Sequence, residues 1–183
     1  MQLTLFIKHI SKPLMIVAVF LIALHFLMKY VYLAHNATHS EPVGWYILFP
    51  ANYKKNNLYQ ICLNPINKGR YLKLMGQLGL KTSDACNNGY MPLLKTIVAV
   101  GGDEVRITKS GVLVNNHMIP NSKTETIYNS LNLLPLNPGY RRILKSNEYW
   151  LYGSNVRSYD SRYFGVVNGS EIGNRAVLIY KEM

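Results

Sequence analysis

Pro92-Leu-Leu-Lys-Thr-Ile-Val-Ala-Val-Gly-Gly-Asp-Glu-Val-Arg-Ile-Thr108 decides the fold. Leu94 to Val100 is a β-branched run ended by Gly101-Gly102. Such side chains are stiff at χ1 and pack well on a pleated surface, so the run reads as a strand. Glu104–Thr108 and Val112–Val114 then predict a hairpin around Lys109-Ser-Gly111. The same punctuation recurs outward in both directions. Trp45–Phe49 ends at Pro50, Leu58–Leu63 alternates and stops at Asn64-Pro65, and the aromatic-rich Glu148–Tyr152 ends at Gly153. Ala176–Tyr180 makes a last strand. Short strands separated by turn residues predict a mainly β, antiparallel domain. Gly69–Gly89 holds the one weak helix candidate, and Asn129–Tyr140, with two prolines, reads as a loop.

The N-terminus is of another kind. Pro13–Ala34 reads PLMIVAVFLIALHFLMKYVYLA, with Lys29 as its only charge. About 20 apolar residues span a bilayer, and Lys29 lies near one end, where its stem reaches the interface. Tyr30 and Tyr32 suit an interfacial belt, and Lys8 and Lys12 before the span place the N-terminus on the cytoplasmic side. A cleavable signal peptide would have a shorter apolar core and a clear small-x-small site. A buried core helix would not be apolar all round. The expected organisation is a cytoplasmic segment 1–12, a transmembrane anchor 13–34 and an extracytoplasmic domain 35–183.

Net charge is +11 in 183 residues. The positive charges are scattered, without the basic, aromatic-interleaved stretch of a nucleic-acid groove, so a basic face beside anionic lipid is preferred to nucleic-acid binding. Cys62 and Cys86 have no metal-ligand spacing. Outside a reducing compartment two such cysteines usually pair. No HExxH motif, His/Cys cluster or Gly-rich phosphate loop is present, so no metal or cofactor is expected. The five histidines (His9, His25, His35, His39, His117) stand outside any motif.

A serine can be activated by a lysine whose burial disfavours its charge. That arrangement asks for a serine at an exposed turn and a lysine inside an apolar strand. Ser40 and Lys95 meet the description. Taken alone, a serine before Glu-Pro is usually a turn residue, and a lysine in a strand usually lies on the solvated face.

Three co-linear blocks resemble the signal peptidase I family of serine-lysine proteases, and within it the conjugative-transfer branch of TraF-type peptidases that mature pilin subunits. Asn36-Ala-Thr-His-Ser-Glu-Pro-Val-Gly-Trp-Tyr46 matches N-x-T-x-S-x-P-x-G-x-Y. Leu94–Val105 matches the lysine box ending in a Gly-Asp turn. Gly153–Gly165 matches the S-x-D-S-R-x-x-G box. Glu41-Pro42 stands where signal peptidase I proper usually shows Met-x-Pro after the serine, and the length leaves no room for the insertion domain of the housekeeping enzymes. Both departures point to the compact branch.

The resemblance implies a signal-peptidase-like antiparallel β-sheet catalytic domain behind one N-terminal transmembrane helix, in a bacterial inner membrane with the domain periplasmic. It implies Ser40 as nucleophile and Lys95 as general base. The Ser40 N–H and the Thr38 hydroxyl would hold the oxyanion, Ser158 would orient the lysine, and Asp160 and Arg162 would shape the site. Its substrates would be precursor proteins, a prepilin or a signal-peptide-bearing chain, with small residues in a pocket for which Val43, Trp45 and Tyr46 are the expected walls. Acyl transfer to an amine of the substrate would give a cyclic product. A general signal peptidase and a non-catalytic scaffold of a secretion apparatus are the alternatives.

Overall fold

The computed structural model describes residues 12–28, 31–64, 85–87, 89–125 and 134–182. Among these, helix α1 (Lys12–Met28) precedes strands β1 (Tyr32–Asn36), β2 (Gly44–Phe49), β3 (Leu58–Ile61) and β4 (Leu93–Ala99). Then come β5 (Glu104–Ile107), β6 (Val112–Val114), β7 (His117–Met118), β8 (Arg141–Ile143) and β9 (Glu148–Tyr152). A short helix α2 (Ser161–Phe164), β10 (Val167–Asn168) and β11 (Ile172–Lys181) complete the order. Seven strands form one sheet, β1-β2-β11-β3-β4-β9-β10, and four form a second, β7-β6-β5-β8. All these pairings are antiparallel, as the strand pattern predicts. The helix candidate at Gly69–Gly89 falls mostly outside the described residues, as does the first part of the Asn129–Tyr140 loop.

The anchor expectation needs a correction at its end. Tyr32–Asn36 is a strand, paired residue by residue with β2 from Tyr32↔Leu48 to Asn36↔Gly44. Aromatic side chains favour the pleated surface, and β2 offers an unpaired edge there, so the backbone takes the ladder instead of extending the helix. Helix α1 has 17 residues, about 26 Å. Its described side chains, Lys12 to Phe26, are all exposed. Among the described residues no helix is long and apolar enough to cross a membrane. Besides β1, the strands that went unread are β7, β8 and β10, two or three residues long. The turn between β6 and β7 is Asn115-Asn116, both at positive φ (49° and 68°), and His117 opens β7.

The core is divided in a way that matters for Lys95. Ile97 packs with Tyr59, Ile61, Leu151 and Ile172 in one buried cluster. Leu94 packs with Tyr46, Leu48 and Ala176 in another. Successive side chains of a strand face opposite ways, so β4 carries a buried cluster on each face, and Lys95 lies on the face of Ile97. Ala99 and Trp150 join Val105, Ile107 and Val112 in a third cluster, which docks the second sheet on the first.

Cys62, just past β3, is bridged to Cys86 across a sequence separation of 24, with Cα atoms 5.5 Å apart. Replacing both by serine is expected to lower unfolding free energy by about 3 kcal/mol on the chain-entropy account. Urea unfolding of the double variant against oxidised wild type measures it; coincident curves would refute it.

Candidate active site

The β1–β2 connection, residues 37–43, is shaped by Asn36. Its Nδ2 donates to the carbonyl oxygens of Thr38 (2.9 Å), Glu41 (3.1 Å) and Pro42 (3.1 Å). Its Oδ1 accepts from the Thr38 N–H (3.1 Å) and the Thr38 hydroxyl (2.8 Å). Tyr46 fixes the far end by donating its hydroxyl to the Pro42 carbonyl at 2.6 Å. One buried amide thus takes the place of the backbone ladder the turn cannot make. Ser40 is presented half-buried at the centre of this turn.

A second loop, 153–160, closes on it. The Ser40 carbonyl accepts from the Ser154 hydroxyl (3.3 Å) and the Asn155 N–H (3.4 Å). Gly153 is wedged between the two serines of interest. A Cβ there would lie 2.0 Å from Ser158 Oγ and 3.2 Å from the Ser40 carbonyl oxygen. Asp160 and Arg162 hold the loop from beneath as an ion pair whose side chains are both 0% exposed. The guanidinium donates through Nε to Oδ1 at 2.8 Å and through Nη2 to Oδ2 at 2.7 Å. Oδ2 also accepts from the Gly153 N–H at 2.9 Å, and Arg162 Nη2 reaches the carbonyls of Ser158 and Asn155 at 3.3 Å each. Asp160 and Arg162, expected to shape the site, fix the 153–160 loop and do not line the cleft.

Lys95 lies on β4 opposite Tyr59 of β3 and is 0% exposed. Its Nζ has no hydrogen-bond partner, and neither does the buried Oγ of Ser158. Burial pushes the Lys95 ammonium down to about 8; Asp160 and Glu41 pull it up, and Arg162 pushes it down again. An unpaired amine in such a place is readily neutral, and a neutral amine is a proton acceptor.

The remaining expected residues divide. Thr38 is in the Ser40 turn, but its hydroxyl donates to Asn36, so it reaches an oxyanion only by releasing that bond. Ser158 does not hydrogen-bond the lysine in this conformation. Of the expected pocket walls, Val43 alone lines the cleft of about 700 Å³ beside the turn, together with Ala37, His39, Glu41, Ser154 and Asn155. Tyr46 is in the core at 1% exposure, and Trp45 is turned outward against the His35 ring. The alternation of β2 settles this, since its inward positions are already taken by core contacts. Two residues were missed. Asn36 was read only as a motif position, and Glu41, 7% exposed, was read as a departure from the family pattern. A polar side chain just before a turn is the signal for the first; nothing local predicts the burial of the second.

A family model for "Signal peptidase, peptidase S26" matches residues 6–181. The plasmid transfer protein TraF of Escherichia coli is 34% identical, covering 75% of this chain and 76% of that protein. A probable conjugal transfer protein TraF of Sinorhizobium fredii is 29% identical, covering 75% and 71%. A crystal structure of a signal peptidase I from Enterococcus faecalis has 13% identity and a TM-score of 0.36, covering 72% of this chain and 99% of that one. Since the family model runs unbroken from helix α1 through the Ser40 turn, the Lys95 strand and the Gly153–Gly165 loop, the chain belongs to the signal peptidase family, peptidase S26.

Proposed function

We propose that this peptidase is a serine endopeptidase in which neutral Lys95 accepts the proton of Ser40 as its oxygen attacks the scissile carbonyl. The observation that carries the reading is the unpartnered, fully buried Nζ of Lys95, whose charge burial disfavours. The Ser40 N–H holds the oxyanion; Thr38 joins it if its hydroxyl turns from Asn36. Lys95 returns that proton to the leaving amine as the acyl-enzyme forms, and the acyl group then passes to water or to an amine of the substrate. Ser158, unpartnered beside Gly153, is available to orient the ammonium that forms.

The substrate class is a pilin precursor in conjugative transfer, a reading supported by the plasmid and conjugal transfer proteins among the relatives. Helix α1, apolar around its circumference and exposed, would anchor the chain in the inner membrane, with the domain on the periplasmic side. The anchor would hold the site where a precursor's apolar segment ends and so raise the local concentration of scissile bonds.

Co-expression with a tagged pilin precursor, followed by mass spectrometry, tests the reading. Wild type is expected to process the precursor and Ser40→Ala to leave it intact. Equal processing by Ser40→Ala removes the nucleophile assignment. Cleavage of an ordinary secretory precursor alone would favour a general signal peptidase, and cleavage of neither a scaffold. A product lighter by one water than the linear fragment identifies cyclisation. The pH profile is a further check. The active form is the neutral lysine, so kcat/KM is expected to rise with pH through about 8 and flatten above it. A profile flat from pH 6 to 10 would exclude Lys95 as the base.

A further inference from the structure

Asn36 closes β1, and the mechanism above gives it no part. It is 7% exposed. A side-chain amide offers two lone pairs on oxygen and two hydrogens on nitrogen. Both ends of this one are engaged by the chain that follows it. Oδ1 accepts from the Thr38 N–H at 3.1 Å and the Thr38 hydroxyl at 2.8 Å. Nδ2 donates to the carbonyls of Thr38, Glu41 and Pro42 at 2.9, 3.1 and 3.1 Å. Exchanging oxygen and nitrogen would set donor against donor at Thr38 and acceptor against acceptor at the carbonyls, so the amide has one orientation. It grips the backbone before Ser40, at Thr38, and after it, at Glu41 and Pro42. The exit of the turn is held as well. Glu182 N–H donates to the Val43 carbonyl at 2.9 Å. Gly44, opposite Asn36 in the ladder, passes so close to β11 that a Cβ there would lie 2.0 Å from the Tyr180 carbonyl oxygen. The Ser40 carbonyl is tied to Ser154 and Asn155. Among the described residues no hydrogen bond uses the Ser40 N–H or its hydroxyl, the two groups the scissile carbonyl has to meet.

We propose that Asn36 is the positioning residue of the nucleophile turn: its carboxamide fixes the backbone on both sides of Ser40, so that the Ser40 N–H and hydroxyl stay unbonded and aimed at the substrate. The inference deepens the Ser40–Lys95 reading and rests on it for the consequence in cleavage, but the grip on the turn does not depend on it. The effect falls on the chemical step. Asn36 is buried and does not line the cleft beside the turn, so substrate docking does not need it. A displacement of a reacting group by about 1 Å costs on the order of 10²-fold in rate.

Two measurements on the full chain in detergent micelles test this. The first uses a peptide spanning the wild-type cleavage site, assayed below the melting temperature of every variant, where a purely stabilising residue would leave kcat unchanged. Asn36→Ala is expected to lower kcat about 10²-fold and to leave KM within about threefold. Asn36→Asp keeps the acceptor for both Thr38 bonds and loses the donors to the Glu41 and Pro42 carbonyls. It is expected to lower kcat at least ~10-fold, since Ser40 is then held from one side only. A wild-type kcat in either variant, or a loss carried by KM alone, overturns the proposal. The second measurement is hydrogen–deuterium exchange. Asn36→Ala is expected to speed exchange in the 37–43 segment at least ~10-fold while β4 exchanges as in wild type. Unchanged exchange at 37–43, or an equal acceleration in β4, overturns it too. Should Asn36→Ala fail to fold, the kcat of Asn36→Asp decides alone. If Ser40→Ala still cleaves the peptide, the Ser–Lys reading fails, and the exchange still decides whether Asn36 holds the turn.

Discussion

Lys95→Met is expected to lower kcat/KM for precursor cleavage by at least ~10³-fold while melting at a higher temperature than wild type at pH 7. The first effect follows from losing the proposed acceptor of the Ser40 proton. The second follows from the same burial that makes the lysine useful. Lys95 ionises at about 8 in the folded protein against an ordinary 10.5. Between those values the unfolded chain holds a proton that the native site has released, so stability rises with pH across that window. At pH 7, below both, the native state carries the whole cost of the buried charge, about 3 kcal/mol as an upper figure. Methionine has a similar length and no charge. It removes that cost, in which the attraction of Asp160 and Glu41 is already counted. Activity lost with stability gained marks a residue kept for chemistry. Processing within tenfold of wild type, or a lower melting temperature, would contradict the assignment.

Arg162→Ala is expected to act in the opposite sense, lowering unfolding free energy by about 3–5 kcal/mol. Both members of the Asp160–Arg162 pair are fully buried. Truncating the arginine leaves the Asp160 carboxylate in the interior with the Gly153 and Arg162-position N–H groups as its remaining donors. It also strips a donor from the carbonyls of Lys123, Asn155 and Ser158. Since the same loop carries Ser154 and Ser158 to the Ser40 turn, cleavage should fall with stability. Urea unfolding measures the loss. The double variant Asp160→Asn, Arg162→Ala should recover part of it, because the unpaired charge is gone. A loss under about 1 kcal/mol would mean that water or a rearranged loop replaces the guanidinium.

Much of this was readable along the chain. The strands of the first sheet with clear alternation or β-branched runs lie where the pattern puts them, since side-chain stiffness and turn residues act locally. The pairing of Cys62 with Cys86 was expected from the number of cysteines and an extracytoplasmic setting. The order of the three blocks around Ser40, Lys95 and Ser158 already carried the family. The apolar composition of α1 was equally plain.

Tertiary structure decided what the blocks could not. Whether Lys95 turned to solvent depended on both faces of β4 being covered, by Ile97's cluster on one side and Leu94's on the other. Tyr32–Asn36 became strand and not helix because β2 left an edge open beside it. The Thr38 hydroxyl is committed to Asn36, and Tyr46 to the core, by contacts that form only once the turn is folded. Glu41 is a charged residue in an exposed-looking turn by sequence, and it is buried because the 153–160 loop, more than 110 residues later, closes over it. Sequence determined the local conformations and the chemical inventory, because those depend on neighbours along the chain. Burial, and with it the charge state of Lys95, depended on what packs from a distance.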